Sequence, residues 1–165
     1  EQTNAAALHA LEIASENETK KIITLSDPNV IKFFRENMMS LLQKNIDIIF
    51  CNKQEAMNIS MKDNIENAID FLKNYSNEII ITSGDEGAHV VCNNERAHVV
   101  AENVSPVDLT GAGDMFLASY IFAKINQKNL SDCIKFANMC AGDVIQKYGA
   151  KLENDDEYRR LYEKL

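Results

Sequence analysis

Val107-Asp-Leu-Thr-Gly-Ala-Gly-Asp-Met115 is the stretch of this 165-residue chain whose residue types and spacing suggest chemistry most directly. A loop of small residues, Gly111-Ala112-Gly113, runs straight into a long amphipathic pattern. Main-chain N–H groups at a helix start lack intrahelical acceptors, and the helix dipole adds positive charge at that end. Together they make a seat for an anion such as a phosphate. Glycine lets the ligand come close to the main chain. No Gly-Lys-Ser/Thr follows, so this is not a Walker loop, and Phe116 stands where a G-x-G-x-x-G loop needs its third glycine. Asp114 is the odd residue, since a carboxylate at an anion seat repels the anion. On spacing, two readings stand equal. Asp114 accepts a proton from an attacking hydroxyl while the N–H groups hold a phosphoryl group in transfer, or it complements the helix dipole, worth ~0.3–1 kcal/mol.

Other candidates have structural competitors. Asn52-Lys-Gln-Glu55 follows a short apolar run and is also a good capping box. Thr82-Ser-Gly84-Asp-Glu-Gly87 follows another such run and is also a plain tight turn. Asn138 sits in a helical pattern, where asparagine is most often a surface residue. His9, His89 and His98 have no mutual metal spacing and are assigned no role. Met38, Met39, Met57 and Met61 read as core fill. Cys51, Cys92, Cys133 and Cys140 form no C-x-x-C pair, so neither a zinc site nor a dithiol motif is offered. They read as small buried hydrophobes in a reducing compartment, which points to the cytoplasm.

The elements around these residues alternate. Helical spacing covers about 3–17. Residues 21–25 read as a strand, and Asp27-Pro28 then supplies an N-cap and a first-position proline. That helix runs to about 43, with Val30, Ile31, Phe34, Met38, Leu41 and Leu42 inward. Residues 46–50 and 78–82 are further strands, and 53–59 and 63–75 further helices. Strands with apolar residues on both faces belong to parallel sheets covered by helices, so the pattern is α/β. Residues 89–92 and 97–101 flank a turn and predict a β-hairpin on one edge of the sheet. Helices over about 112–127 and 130–147, and a charged helix over 155–164, close the chain.

With these pieces in order, Asp108-Leu-Thr110-Gly-Ala-Gly-Asp114 resembles the D-T-x-G-A-G-D signature of the ribokinase-like (PfkB) carbohydrate and nucleoside kinases. Asn52-Lys-Gln-Glu55 resembles that family's N-x-x-E motif, and Thr82 to Gly87 its T-x-G-x-x-G turn. Ala137-Asn138 through Tyr148-Gly149-Ala150 resembles its penultimate helix, and Leu25-Ser26-Asp27 leans toward the adenosine-kinase-like branch. The resemblance implies a three-layer α/β/α fold with a mostly parallel sheet and transfer of the γ-phosphoryl of ATP to a sugar or nucleoside hydroxyl. Asp114 is then the general base, and Gly111, Ala112 and Gly113 the anion hole. Glu55 and Asn52 organise Mg2+ through water; Thr82, Gly84 and Gly87 line the nucleotide, and Asn138 lies near the adenine. Asp108 and Thr110 match positions at a monovalent-cation site in some members, which extends the implication to K+. Leu109 stands where the family often has threonine. A non-catalytic nucleotide- or phosphate-binding module, and an α/β domain without ligand, are the rival readings.

Composition narrows the partners. The chain has 17 basic and 25 acidic side chains, a net charge of −8. Nucleic acid and anionic membrane surfaces need clustered Lys and Arg, which this balance argues against. No apolar run reaches the ~18–20 residues of a membrane span. The length suits one globular domain, but family members are longer, and their amino-terminal half carries the acceptor site and a β-stranded lid. The expectation is therefore that residues 1–165, which begin at Glu1 rather than Met, are the C-terminal nucleotide-binding and catalytic part of the kinase domain, without the acceptor-binding part and lid. An exposed strand edge in such a part predicts association, and the resemblance admits a homodimer of the full-length protein.

Overall fold

The computed structural model describes residues 2–25 and 27–164. Ser26, part of the Leu25-Ser26-Asp27 resemblance, lies outside the described residues. In chain order the elements are α1 (Gln2–Glu16), β1 (Ile22–Thr24), α2 (Pro28–Leu42), β2 (Ile48–Asn52), α3 (Lys53–Ser60), α4 (Ile65–Leu72) and β3 (Glu78–Thr82). A 3-10 turn over Gly84–Glu86 leads to β4 (Ala88–Cys92), β5 (Glu95–Val99), α5 (Ala112–Ile125), α6 (Leu130–Val144) and α7 (Asp155–Tyr162). Strands follow one another as β1-β2-β3-β4-β5 in a single sheet. β1 and β2 are parallel, with Ile22, Ile23 and Thr24 opposite Ile48, Ile49 and Phe50. The sheet is mixed, because a parallel crossover needs a dozen or more residues. Ser83–Gly87 and then Asn93-Asn94 are too short for one. The hairpin falls on the sheet edge, as its turn residues predict; Asn93 takes the left-handed φ of 54°.

The chain divides into two compact units. The described residues through Ile81, with Val91–Glu95, make the first. Its core is mainly aliphatic: Leu25, Ile49, Ile59, Leu72, Ile79 and Ile81 are fully buried, with Cys51 beside them, and burying a Leu or Ile side chain contributes about 1.5–3 kcal/mol. Local signals set its helix starts. Asp27 caps α2 by accepting the Asn29 N–H at 2.6 Å, with Pro28 in the first turn. Asp47 ties the strand starts together, accepting from Lys20 Nζ at 2.7 Å and the Lys21 N–H at 2.8 Å.

Two expectations for this unit are corrected. Phe34, expected inward, is 57% exposed and Val30 is also exposed, because φ −130° and ψ 32° at Phe34 kink α2 and break the phase of its apolar stripe. Met61 is 72% exposed: it adopts the left-handed conformation that ends α3 and so points away from the core that Met38 and Met39 pack against.

Thr82–Val90 and the described residues from Arg96 onward make the second unit. Phe116, Tyr120 and Ala123 of α5 and Ile134, Ala137, Cys140 and Val144 of α6 are buried. Phe122, Phe136 and Tyr162 form a ring cluster with centroids 5.3–6.1 Å apart, two of the pairs edge-to-face as ring quadrupoles favour. Lys147 Nζ to Glu157 at 2.7 Å ties the segment after α6 to α7. Among the described residues no helix is long and apolar enough to cross a membrane.

Candidate active site

The start of α5 is built by its own sequence and by the segment that follows α6. Gly111 is the N-cap, at φ 79°, and no side chain caps the helix. A Cβ on Gly111 would stand 2.5 Å from Ala150 Cβ and 2.7 Å from its Cα, so both conformation and space demand glycine. The Ala112 N–H donates to Leu109 O at 3.3 Å and the Met115 N–H to Gly111 O at 2.8 Å. The N–H groups of Gly113 and Asp114 lie between these and make neither bond. Asp114 is exposed in the first turn. The loop can therefore present main-chain donors beside a solvent-facing carboxylate.

Asp108 organises the approach to that loop. Its Oδ1 accepts the Thr110 N–H at 2.9 Å and its Oδ2 the Gly149 N–H at 3.0 Å. Hydrogen bonds from Gly149, then Thr110, hold this carboxyl below its ordinary value of 3.8. Ile145 O accepts both the Val107 N–H at 2.7 Å and the Asp108 N–H at 3.1 Å.

The second cluster of the same unit is the turn after β3. The Ser83 N–H donates to Gly87 O at 2.8 Å and the Gly87 N–H to Gly84 O at 3.0 Å. Gly84 has φ 61° with open space where a Cβ would sit. At Gly87 (φ 85°) a Cβ would lie 2.0 Å from Val99 O, so β5 runs hard against it. Asn138 Nδ2 donates to that same Val99 O at 2.9 Å. His98 Nε2 donates to Glu86 O at 2.8 Å, and its ring stacks on His89 with centroids 4.0 Å apart and planes 9° apart. Gly87 and Asn138 thus meet at Val99 O of β5, and Gly84 joins Gly87 through its carbonyl. Ser83 was not anticipated: its Oγ is buried and has no hydrogen-bond partner among the described residues. A serine inside a T-x-G turn carries no distinguishing signal in sequence.

In the first unit, Asn52 and Glu55 complete the capping box in full. Asn52 Oδ1 accepts the Glu55 N–H at 2.9 Å, Glu55 Oε2 accepts the Asn52 N–H at 3.0 Å, and Asn52 Nδ2 donates to Glu55 Oε1 at 2.7 Å. Glu55 is only 4% exposed. Burial, against the Asn52 bond and with the Asp27 charge adding to it, pushes its carboxyl above 4.5. Burial also raises the thiols of Cys51 and Cys140, the latter to about 11. All four cysteines are free.

Asp114 also lines a cleft of about 670 Å³ whose other walls include Met115, Phe122, Phe136 and Tyr162. None of the other expected site residues lines it. Among the described residues no cluster of three or more His, Cys, Asp or Glu side chains could hold a metal ion.

A sheet flanked by helices, with turns at its strand ends and a glycine loop opening α5, defines an α/β protein. Residues 1–157 match the family described as pfkB family carbohydrate kinase, and the chain belongs to that family. A ribokinase of Staphylococcus aureus (strain COL) is 32% identical over 157 residues, covering 88% of this chain and 48% of the relative. The adenosine kinase of Sinorhizobium meliloti superposes with a TM-score of 0.86 at 30% identity, over 94% of this chain and 49% of that one. A fructokinase of Vibrio cholerae O395, solved with fructose, ADP and calcium ion, shares the fold with a TM-score of 0.80 at 20% identity, over 95% of this chain and 55% of that one. This chain therefore spans about half the length of the relatives it matches. The ribokinase-like α/β fold expected from the motifs is the fold observed.

Proposed function

We propose that this chain carries the nucleotide-binding and phosphoryl-transferring part of an ATP-dependent kinase acting on a hydroxyl of a sugar or nucleoside. The observation that carries the reading is the α5 start: an uncapped helix entry with Gly111, Ala112 and Gly113 at its mouth and the exposed Asp114 carboxylate in its first turn. The acceptor oxygen attacks the γ-phosphorus, the bond to the ADP oxygen breaks, and Asp114 takes the hydroxyl proton. The Gly111–Gly113 N–H groups stabilise charge on the phosphoryl oxygens in flight.

Thr82, Gly84 and Gly87 supply the nucleotide wall, with the buried Ser83 Oγ, which has no partner among the described residues, able to bond a ligand or its water. Asn138 holds that wall by its bond to Val99 O. Glu55 and Asn52 suit Mg2+ through water, because each Glu55 oxygen already accepts one N–H and keeps a lone pair. When bound, that ion supplies positive charge against the phosphates. Asp108 and Thr110 are where K+ would lie, and the Asp108 oxygens likewise keep one lone pair each. Four free cysteines suit the reducing cytoplasm.

The test is ATP-dependent phosphorylation by the complete protein over ribose, fructose, adenosine and other nucleosides, with Asp114→Asn alongside. Turnover lost in the variant with ADP affinity retained supports the kinase. Equal turnover in both sinks the mechanism. ADP binding without turnover on any acceptor favours the non-catalytic module.

A further inference from the structure

The segment after α6 touches the proposed anion hole at Gly111 and its approach at Val107 and Asp108, contacts that the Gly-Ala-Gly pattern does not announce. Ile145 O takes two N–H groups of the loop's approach, Val107 and Asp108. The Asp108 carboxylate spans Thr110, the residue before the loop, and Gly149, 41 positions beyond Asp108 along the chain. Ala150 lies where a Gly111 Cβ would be. The loop's main chain is thus held from outside as well as by its own turn, and the ends of this brace are residues that touch no reacting atom.

We propose that Asp108 is a positioning residue, whose carboxylate clasps the Gly149 N–H and so seats the turn over 145–150 against Gly111, holding the Gly111–Gly113 donors in line for a phosphoryl oxygen. This rests on reading that loop as the anion hole. A single carboxylate bridging two main-chain donors fixes two segments with one side chain, and charge-assisted bonds are the stronger kind. Preorganised donors are where such rigidity matters, since a misplacement of about 1 Å in a reacting geometry costs on the order of 100-fold in rate.

The experiment compares the complete wild-type protein with Asp108→Ala and Asp108→Asn in potassium-free buffer. It measures kcat, KM, ADP affinity and amide hydrogen exchange at Gly149 and Thr110. The clasp predicts that Asp108→Ala lowers kcat at least tenfold and speeds Gly149 exchange at least tenfold, with nucleotide KM and ADP affinity within threefold of wild type. Asp108→Asn, which keeps one acceptor oxygen, falls between. Unchanged Gly149 exchange in Asp108→Ala overturns the clasp. Faster exchange with unchanged kcat overturns the positioning role. If the variants do not fold, a Gly149 N–H that exchanges in wild type as fast as an exposed loop amide overturns it instead. If the wild-type protein phosphorylates no acceptor, the kinase reading fails separately, and the exchange data still decide whether the clasp exists.

Discussion

Two helix starts in this molecule carry the motifs, and they are built in opposite ways. At α3, Asn52 and Glu55 satisfy each other through three hydrogen bonds, and the carboxylate is buried. At α5, no side chain caps the helix, the N-cap is a left-handed glycine, and the carboxylates are reachable. Burial pushes the Glu55 carboxyl up, whereas the Gly149 and Thr110 bonds pull Asp108 down. A helix entry that completes its own hydrogen bonding has stability as its first product. One that leaves donors unused gives up part of that stability and gains a place for an anion. The difference between the two lies in where the partners come from: three residues away at α3, a distant turn at α5.

The sharpest way to break this contrast is at α5. Asp114→Asn should cost roughly 100- to 10,000-fold in kcat, the usual weight of a general base, with ADP affinity within threefold by calorimetry. Gly111→Ala comes next. It forces a positive φ on alanine and drives its Cβ to 2.5 Å from Ala150, so it should lower kcat on the order of 100-fold and destabilise by roughly 1–3 kcal/mol in denaturant melts.

At α3 the expected effects move from rate to stability. Asn52→Ala should cost about 0.5–2 kcal/mol, the range for a lost N-cap, read as a lower denaturation midpoint with an unchanged m-value. Its effect on kcat at saturating Mg2+ should be far smaller than that of Asp114→Asn. A rate loss as large as that one would erase the distinction between the two starts.

The pH dependence has opposite signs at different places. Glu55 has a raised carboxyl, so its folded form holds a proton more tightly than its unfolded form. Its contribution is fully present below the ordinary value of 4.5 and is lost as pH rises through the higher folded value. Glu157, held below 4.5 by its bond to Lys147, behaves oppositely: its contribution is present above 4.5 and lost as pH falls through the lower folded value. In Mg2+-free buffer, Glu55→Gln should therefore gain in melting temperature relative to wild type as pH rises above 4.5, whereas Glu157→Gln should fall behind wild type as pH rises toward 4.5 and keep a constant deficit above it. Equal pH slopes for Glu55→Gln and wild type would remove the burial penalty from the account. The smallest expected effect is chemical: Cys51 and Cys140, buried and with raised thiols, should resist alkylation at pH 8 in the folded protein and react once it is unfolded.

Much of this was readable from local chemistry. Asp27-Pro28 placed the start of α2, and β3 runs from Glu78 to Thr82, the bounds its apolar run predicts. The hairpin followed from runs at 89–92 and 97–101, though its second strand, Glu95–Val99, begins inside the expected turn of Asn93-Asn94-Glu95-Arg96. Less readable was anything that depended on phase or distance. Phe34 was misplaced because a kink is a local φ/ψ event with no residue signature such as proline. The bond from the Asn138 amide to Val99 O is a contact 39 residues back along the chain that no helical periodicity encodes.

By itself, then, the sequence determined the elements, the glycine loop at a helix start, the capping pair and the family, because each rests on residues within a few positions of one another. Tertiary structure alone decided that Asp108 reaches Gly149, that Ala150 closes on Gly111 and that Val99 O accepts from Asn138 while leaving no room for a Cβ at Gly87. Those contacts join segments far apart in the chain. Hydrogen bonds and steric exclusion act over a few ångströms, and only folding brings such segments that close.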